Sequence, residues 1–442
     1  MKIGMVTSCY KPVVNGVTHM ISLYKQELEA LGHEVYVFTL GQPDPDGEDT
    51  NVIRSPAIPF KDGYYMSLRY SREAQKLMYQ MDILHCHHLI MSVELAHRYA
   101  NCPVIYTNHT RYDLYANSKV SLPQPAADAL MRQIWPEFSD FADVVITPSE
   151  SVRQVMLDFG VRRPIEVIEN GIELRPFYYP TAPKAKAVLG IPKTAVLAIY
   201  IGRLAPEKNL FTLLKQVAAA RDIVPDLHLA LGGHGELEEA LRDYAAALGM
   251  ETAVHFLGNL PYEALPNYLA AADFFVTASL TEVHPLTVIE AMAAGLPVAA
   301  PMAPGIVDTV ISGEFGFLVK DPDVGLAAAI VGLALDKERR QTMGQNARMA
   351  SERYDIKDTV QRTLALYEKL QGTRPDLSRK KRHGRWLRQQ KKWLPLLDQL
   401  SAMIRGEKMG TVPLNLKWFS HMGTTANGSS CPKVKDIEPH DR

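Results

Sequence analysis

Residues 278–297 read A-S-L-T-E-V-H-P-L-T-V-I-E-A-M-A-A-G-L-P, and this stretch predicts more about the chain than any other. The apolar run before it, at residues 273–277, predicts a buried strand. From about Pro285 the pattern predicts a helix, because proline is tolerated in a first turn and Gly295 followed by Pro297 ends a helix. Small residues let this helix lie close against a sheet, and they are Ala291, Ala293, Ala294 and Gly295.

Two glutamates belong to this stretch, eight residues apart. Glu282 comes just before the predicted helix, and Glu290 lies inside it with apolar neighbours such as Ile289 and Met292. A carboxylate among apolar residues needs hydroxyl or amide donors as partners. A sugar supplies such hydroxyls, so the pair favours a sugar site, whereas a solvated helix face is the alternative for either glutamate taken alone.

The spacing Glu-x7-Glu, followed by A-M-A-A-G-L-P-V at residues 291–298, resembles the signature of the retaining glycosyltransferases of family 4, also called group 1. Enzymes of this family have the GT-B fold. The resemblance implies that Glu282 contacts the donor sugar and that Glu290 contacts the nucleotide ribose. Leu286 and Thr287, which lie between the two glutamates, become candidates for donor binding as well.

The composition is that of a globular protein large enough for two domains and a tail, with 442 residues, 47% of them hydrophobic and 22% charged. A net charge of −1 indicates no general attraction to nucleic acid or to membranes. The four cysteines lack C-x-x-C spacing, which favours a reducing compartment. No run has the length of a membrane span, and the N-terminal apolar run is too short for a signal peptide. The sequence therefore predicts a cytoplasmic protein.

Short apolar strands alternate with helical stretches along the chain, beginning with a strand at residues 2–8. This alternation predicts an α/β fold with parallel, doubly wound sheets, whose ligands bind beyond the carboxyl ends of the strands. The resemblance implies the GT-B arrangement, in which two Rossmann-like domains face a cleft. We expect an acceptor domain at residues 1–172, a nucleotide-sugar donor domain at residues 173–355, a crossover helix at residues 356–371 and a tail at residues 372–442.

Three loops of the first half carry candidate site residues. Asn15 and Gly16 follow the first strand, where a glycine lets backbone N–H groups approach an anion at the next helix N-terminus, although a plain turn is the alternative. His109 stands just past another strand, and the resemblance implies that it lies near the donor sugar. The run H-C-H-H at residues 85–88 has metal-ligand composition, but it spans a strand end. The resemblance implies no metal and no permanently bound cofactor.

The second half contributes two cations from one loop. Residues 203–209, R-L-A-P-E-K-N, follow a strongly apolar strand and match the family pattern G-R-x-x-x-E-K-N. Arg203 offers a planar fork and Lys208 a point charge to a diphosphate leaving group, and we expect Glu207 to orient Lys208. Gly233 lies in a glycine turn after a strand, and Gly305 is expected to begin a helix, so both are candidates for donor binding.

Basic and aromatic residues are candidates for an acceptor-binding or membrane-facing surface, with a solvated face as the alternative. In the first half these are Tyr64, Tyr65, Arg69, Tyr70, Arg72, Arg132 and Trp135. Residues 379–404 combine a basic block with tryptophans and an apolar stripe, which suits an anionic membrane surface at the inner face of the cell membrane. A helix docked on the body is the alternative there. Nucleic acid is disfavoured as a partner, because the chain offers no module for binding it.

The resemblance implies transfer of a hexose from a nucleotide sugar, with UDP-glucose the expected donor, to an acceptor hydroxyl with retention of the α configuration. The motifs look most like those of bacterial enzymes that glycosylate membrane lipids such as diacylglycerol. Phosphatidylinositol, a polysaccharide precursor and a soluble sugar remain open as acceptors. The rival functions are a GT-B nucleotide-sugar epimerase, a glycosidase and a non-catalytic nucleotide-binding module. A glycosidase uses paired carboxylates and has no use for Arg203 and Lys208.

Overall fold

The computed structural model describes residues 1–373, except residues 14, 45–46, 48, 60–63, 68 and 115–123 and the side chain of Ala126. The basic block at residues 379–404 lies outside the described residues, as does almost all of the tail predicted at residues 372–442. The described chain is built around two parallel sheets, which confirms the predicted doubly wound α/β class.

The strands of the first half are, in chain order, β1 (Lys2–Val6), β2 (Glu34–Leu40), β3 (Val52–Ser55), β4 (Ile58–Pro59), β5 (Tyr65–Met66), β6 (Ile83–Cys86), β7 (Val104–Thr107), β8 (Val144–Thr147) and β9 (Ile165–Val167). Seven of these form a parallel sheet in the order β3-β2-β1-β6-β7-β8-β9, and β4 pairs with β5 in a separate antiparallel hairpin. The strand order reverses between β1 and β6. Such a switch point is where an open α/β sheet leaves a crevice for ligands.

The strands of the second half are β10 (Val196–Ile201), β11 (Leu227–Gly232), β12 (Val254–Gly258), β13 (Phe274–Val276), β14 (Val298–Pro301) and β15 (Gly316–Val319). They form a second parallel sheet in the order β12-β11-β10-β13-β14-β15. Strands such as β10, which reads V-L-A-I-Y-I, are continuous apolar runs because helices cover both faces of a parallel sheet. The second switch point lies between β10 and β13.

The α-helices among the described residues up to residue 178 are Gly16–Ala30, Arg72–Met78, Glu94–Tyr99, Gln124–Ser139, Glu150–Asp158 and Leu174–Tyr178. Those that follow are Leu210–Arg221, Glu238–Ala247, Leu265–Leu269, Leu286–Ala293, Pro322–Leu335, Lys337–Ser351 and Ile356–Leu370. Over residues 1–373, with the exceptions given above, no helix combines the length and the apolar character needed to cross a membrane.

Each sheet buries apolar side chains on both faces, because successive residues of a strand point to opposite sides. In β1, Ile3 and Met5 belong to the core on one face and Val6 to the core on the other. In β10, Leu197 and Ala198 divide in the same way between two cores. Hydrophobic burial on four sheet faces therefore fixes the strands whose ends carry the candidate site.

The stretch at residues 278–297 folds as predicted. A loop leaves β13, and the helix Leu286–Ala293 begins directly after Pro285. Gly295 has φ +78°, a left-handed conformation that favours glycine, and there the helix ends. Ala291 and Ala293 are fully buried, so the helix lies close against its sheet.

The last described helix, Ile356–Leu370, brings the chain back to the first half. The Tyr24 hydroxyl on helix Gly16–Ala30 lies 3.0 Å from Thr363 Oγ1 on this helix. A Cβ added at Gly171 would lie 2.6 Å from the Cα of Ile356, so glycine permits the close approach there. The domain boundaries given above stay predictions.

The structure corrects two expectations. The helix expected to begin at Gly305 is absent, since residues 304–309 form turns and Gly305 has φ +82°. A residue with left-handed backbone does not have the dihedral angles of a right-handed helical turn, so Gly305 is not a helical residue. Tyr70 and Trp135 were expected on an acceptor-facing surface, but both are buried in the core of the first half, with 1% and 0% of their surface exposed.

The other candidates for that surface differ in their exposure. Tyr64 and Tyr65 are half-buried. Arg69, Arg72 and Arg132 are exposed, as a membrane-facing or solvated surface requires. The cations of this set therefore remain candidates, whereas its largest aromatic residue belongs to the core.

A substitution at Gly233 tests how tightly the turn after β11 is packed, and Gly249, elsewhere in the second half, serves as the control. A Cβ at Gly233, which has φ +138°, would lie 1.9 Å from the carbonyl oxygen of Gly202, whereas a Cβ at Gly249, with φ +67°, would meet nothing within 4 Å. We expect Gly233→Ala to lower the free energy of unfolding by more than about 3 kcal/mol, because the backbone must move. The control Gly249→Ala should cost about 1–2 kcal/mol from backbone strain alone. Urea unfolding measures both, and equal losses would contradict this steric account.

Candidate active site

The predicted cations and Glu282 lie on two loops that leave neighbouring strands at the second switch point. Residues 202–209 follow β10, residues 277–285 follow β13, and these strands are paired in the sheet. Because the strands are parallel, both loops emerge at the same edge, where open α/β sheets bind their ligands. This topology brings Lys208 and Glu282 into contact although 74 positions separate them in the sequence.

Lys208 and Glu282 form an ion pair, in which Nζ donates to Oε1 at 2.7 Å. Only 20% of the Lys208 side chain and 16% of the Glu282 side chain are exposed. Burial opposes the charge on Glu282, but the Lys208 ammonium outweighs it and holds the pKa of this carboxyl below its usual range. At neutral pH the site therefore holds a carboxylate and an ammonium, and neither is fully solvated.

Arg203 has a different partner from Lys208. Its Nη2 donates to Oε1 of Glu207, whose side chain is buried. The expectation that Glu207 orients Lys208 is therefore wrong, because the Lys208 side chain is directed to Glu282 instead. Glu207 anchors Arg203 and leaves 45% of the Arg203 side chain accessible.

Polar contacts that the sequence analysis missed tie the two loops together. Asn209 Nδ2 donates to the carbonyl oxygen of Ala278 at 3.3 Å, and Thr281 Oγ1 donates to that of Glu207 at 3.2 Å. Asn209 has φ +54°, a conformation that asparagine adopts more readily than most residues, and it ends the short 3₁₀ turn Pro206–Lys208. This turn fixes where the Lys208 side chain leaves the backbone.

Glu290 lies inside helix Leu286–Ala293 and is 3% exposed, which confirms that it is not a surface charge. Burial raises the pKa of its carboxyl to about 8, and the neighbouring Tyr262 hydroxyl reduces this shift. The Tyr262 ring also packs against the His19 ring of the first half, with centroids 3.9 Å apart. At pH 7 the Glu290 carboxyl is therefore mainly protonated, and a ligand with hydroxyl groups can supply the hydrogen bonds that favour its ionised form.

Leu286 and Thr287 are the first two residues of the same helix, and both are partly exposed. The first backbone N–H groups of a helix have no partner within the helix and attract anions. The Cδ1 of Leu286 lies 3.7 Å from where a Cβ on Gly16 would be, so this helix start meets the start of helix Gly16–Ala30. The N-termini of these two helices, one from each half of the chain, therefore meet next to the loop that carries Glu282.

Asn15 shapes the start of helix Gly16–Ala30 as its N-cap. Its Oδ1 accepts from the backbone N–H groups of Val17 and Thr18 at 2.9 and 3.0 Å, and the Thr18 hydroxyl lies 3.0 Å from the N–H of Asn15. This capping box satisfies backbone donors that a helix start otherwise leaves unpaired. In the structure, the Asn15 side-chain oxygen is therefore engaged in capping its own helix.

The two remaining glycine candidates use their N–H groups inside the protein. Gly233 donates to the carbonyl oxygen of Gly258 at 2.8 Å. Gly305 donates to Ser151 Oγ at 2.8 Å, and Asp308 Oδ2 lies 3.2 Å from the same N–H. The structure thus differs from the expectation that Gly305 offers its N–H to a ligand, because Ser151 occupies it.

Further contacts across the two halves also escaped the sequence analysis. Ser149 Oγ donates to the carbonyl oxygen of Val283 at 2.8 Å, and Asn170 Nδ2 donates to that of His284 at 3.1 Å. These contacts hold the residues directly after Glu282 against the first half. The sequence signal for the Ser149 contact was the polar run T-P-S-E-S at residues 147–151, which begins at the last residue of β8.

His109 follows β7, and its Nε2 lies 3.1 Å from Nδ1 of His87, which follows β6. Desolvation lowers the pKa of His109 to about 3 and the pKa of His87 well below its usual value. Both imidazoles are therefore neutral at physiological pH. His109 remains partly exposed at the sheet edge next to the first switch point.

The other histidines of H-C-H-H have protein partners. His85 lies 2.5 Å from the Tyr367 hydroxyl through Nδ1 and 2.6 Å from Thr107 Oγ1 through Nε2. His88 Nδ1 lies 3.1 Å from Thr7 Oγ1. Among the residues described, no group of three or more His, Cys, Asp or Glu side chains is arranged to hold a metal ion.

This arrangement matches the chemistry of a diphosphate with hydroxyl-bearing groups attached. Lys208 and Arg203 provide positive charge, and the helix start at Leu286 provides backbone donors. Glu282 and Glu290 can accept hydrogen bonds from hydroxyl groups when their carboxyls are ionised.

Comparison with known proteins covers both halves of the chain. Residues 14–175 match the family model described as Glycosyltransferase Family 4, and residues 181–350 match that described as Glycosyl transferases group 1. An alpha-monoglucosyldiacylglycerol synthase of Streptococcus pneumoniae is 32% identical over 334 residues, which are 72% of this chain and 75% of that protein. The protein of the same description from Acholeplasma laidlawii is 28% identical over 375 residues, 80% of this chain and 93% of that protein.

Solved structures share the fold. Sucrose-phosphate synthase from Thermosynechococcus elongatus has a TM-score of 0.67 at 23% identity, covering 84% of this chain and 99% of its own. Anabaena HepE in complex with UDP-glucose has a TM-score of 0.66 at 20% identity, covering 84% of this chain and 100% of its own. At these identities the likeness establishes the GT-B fold alone. With the two family matches and the 32% identical relative, it follows that the chain belongs to glycosyltransferase family 4, the group 1 glycosyl transferases, and is a glycosyltransferase.

Proposed function

We propose that this glycosyltransferase moves glucose from UDP-glucose to the hydroxyl of diacylglycerol in a membrane, with retention of the α configuration. The observation that carries the proposal is the ion pair of Lys208 and Glu282 at the second switch point. There a diphosphate can replace Glu282 as the partner of Lys208, and sugar hydroxyls can replace Lys208 as the partner of Glu282. Two relatives described as alpha-monoglucosyldiacylglycerol synthases support the sugar and the acceptor. The HepE complex with UDP-glucose, in a protein of the same fold, supports the donor.

In the proposed reaction, the bond between the anomeric carbon of glucose and the diphosphate oxygen breaks. Lys208 and Arg203 stabilise the negative charge that develops on the departing UDP. The acceptor hydroxyl attacks the anomeric carbon from the face that the diphosphate leaves, and its proton passes to a leaving phosphate oxygen. No side-chain base is needed, so catalysis consists of charge stabilisation and positioning.

The remaining candidates bind and orient the donor. Glu282 accepts hydrogen bonds from glucose hydroxyls, and Glu290 accepts them from the ribose. His109 contacts the sugar from the first half. The donor diphosphate lies against the two helix starts formed by Asn15 and Gly16 and by Leu286 and Thr287.

The acceptor reaches the site from the first half of the chain, residues 1–172, while residues 173–355 hold the donor. Exposed cations of that half, Arg69, Arg72 and Arg132, and the basic block at residues 379–404 attract the protein to an anionic membrane surface. Each nearby cation adds roughly 1 kcal/mol to such binding. The enzyme thereby meets a lipid acceptor that does not leave the bilayer.

The direct test supplies UDP-, GDP- and ADP-sugars to the purified full-length protein, with vesicles that contain or lack diacylglycerol and that are neutral or anionic. The measurement is release of nucleoside diphosphate. We expect release from UDP-glucose that rises with diacylglycerol and rises further with anionic lipid. Nucleoside diphosphate release that does not depend on diacylglycerol would refute diacylglycerol as the acceptor. Release from another sugar nucleotide in place of UDP-glucose would refute UDP-glucose as the donor.

Replacing Lys208 tests the charge that stabilises the leaving group. We expect Lys208→Ala to lower kcat about 100- to 1,000-fold, because a buried cation aimed at developing charge is lost. The KM for the lipid should change little, since the proposed reaction gives Lys208 a contact with the leaving diphosphate and none with the acceptor. Lys215→Ala, which removes an exposed lysine from helix Leu210–Arg221, is the control and should behave as wild type. An unchanged kcat in correctly folded Lys208→Ala would remove Lys208 from the mechanism.

The raised pKa of Glu290, about 8, predicts how donor affinity depends on pH. Ribose hydroxyls donate to the ionised carboxylate, so a bound donor lowers this pKa, and affinity should rise with pH up to about 8 and then level off. Calorimetric titration with UDP-glucose between pH 6.5 and 9, roughly the range in which Glu290 titrates, measures this slope. Glu290→Gln should bind more weakly and lose the slope. A wild-type affinity that falls with pH in this range would contradict the assignment.

A further inference from the structure

His87 contacts the histidine that we assign to the donor sugar. It follows β6, only 1% of its surface is exposed, and its Nδ1 lies 3.1 Å from Nε2 of His109. The two ring centroids are 5.4 Å apart, and the ring planes are inclined by 17°. Nearly coplanar rings at this separation face each other edge to edge, which is the geometry of an N–H···N hydrogen bond.

This hydrogen bond can be made with the proton on either ring. Each neutral imidazole has one N–H and one bare nitrogen. If His87 donates from Nδ1, its Nε2 is bare and His109 carries its proton on Nδ1. If His109 donates from Nε2, His87 carries its proton on Nε2 and Nδ1 of His109 is bare. The two arrangements present opposite hydrogen-bonding groups to a ligand of His109.

The surroundings of His87 Nε2 favour the first arrangement. This nitrogen is buried, and no hydrogen-bond partner for it exists among the described residues. A buried N–H without a partner is rarer in proteins than an unpaired acceptor. The neighbouring ring of His85 cannot serve as the partner, because both of its nitrogens are engaged by Tyr367 and Thr107.

We propose that His87 is a positioning residue that fixes His109 as the Nδ1–H tautomer, so that His109 presents a hydrogen-bond donor to its ligand. His109 is partly exposed, and within the described chain its Nδ1 has no hydrogen-bond partner. An N–H at this nitrogen suits a hydroxyl or anionic oxygen as the ligand atom. The catalytic value of this donor rests on the proposed function, but the tautomer itself does not.

The tautomer can be measured directly in the full-length protein labelled with ¹⁵N-histidine. Long-range ¹H–¹⁵N correlation spectra distinguish a protonated ring nitrogen from a bare one, and His109→Asn assigns the signals of His109. We expect wild-type His109 to have a protonated Nδ1 and a bare Nε2, and His87→Leu to lose this preference. A wild-type proton on Nε2 of His109, or an unchanged tautomer in His87→Leu, would overturn the proposal.

Two conservative variants separate positioning from packing. His87→Asn places an amide nitrogen near the former position of the His87 Nδ1, whereas His87→Gln places one near the former position of its Nε2. We expect His87→Gln to lower kcat/KM for UDP-glucose about 10- to 100-fold and His87→Asn to recover much of that loss, since misplacement of a site group has costs of this size. A kcat/KM for His87→Asn that is no higher than that for His87→Gln would overturn the proposal. If wild type turns over no sugar nucleotide, the proposed function fails while the tautomer result stands.

Discussion

The ion pair between Lys208 and Glu282 is the interaction on which the site depends. Both side chains are mostly buried, and leaving either charge without a partner in such a place costs about 3–5 kcal/mol. The pair therefore holds together until a ligand offers substitutes for both partners at once. A diphosphate can replace Glu282 beside Lys208, and sugar hydroxyls can replace Lys208 beside Glu282. A nucleotide sugar carries both groups on one molecule, whereas inorganic phosphate or a free sugar carries only one.

The fold makes this pair possible by placing unrelated segments at one edge. β10 and β13 are neighbours at the second switch point, so their loops leave the sheet side by side. The first half adds its own contacts, in which Ser149 and Asn170 hold the carbonyl groups that follow Glu282. The position of the Glu282 loop is thus set by both halves of the chain. The geometry of the Glu282 loop therefore depends on the relative position of the two sheets.

The sequence was sufficient for the alternation of buried strands with helices and for the helix Leu286–Ala293, because parallel strands are apolar runs and glycine with proline marks a helix end. It also identified Glu290 as buried from its apolar neighbours. It failed where the outcome depends on residues far apart in the chain. The partner of Lys208, the carbonyl bond of Ser149 and the contact of His87 with His109 are all tertiary. The absent helix at residue 305 reflects a left-handed glycine that periodicity does not reveal.

We propose that glucose passes from UDP-glucose to diacylglycerol with its anomeric configuration retained. Proton NMR of the glycolipid formed by the full-length protein from these two substrates tests it most directly, because the coupling between H1 and H2 distinguishes an axial from an equatorial linkage. We expect one glucose per diacylglycerol and the small H1–H2 coupling constant of an α linkage. A β linkage would contradict the proposed same-face displacement.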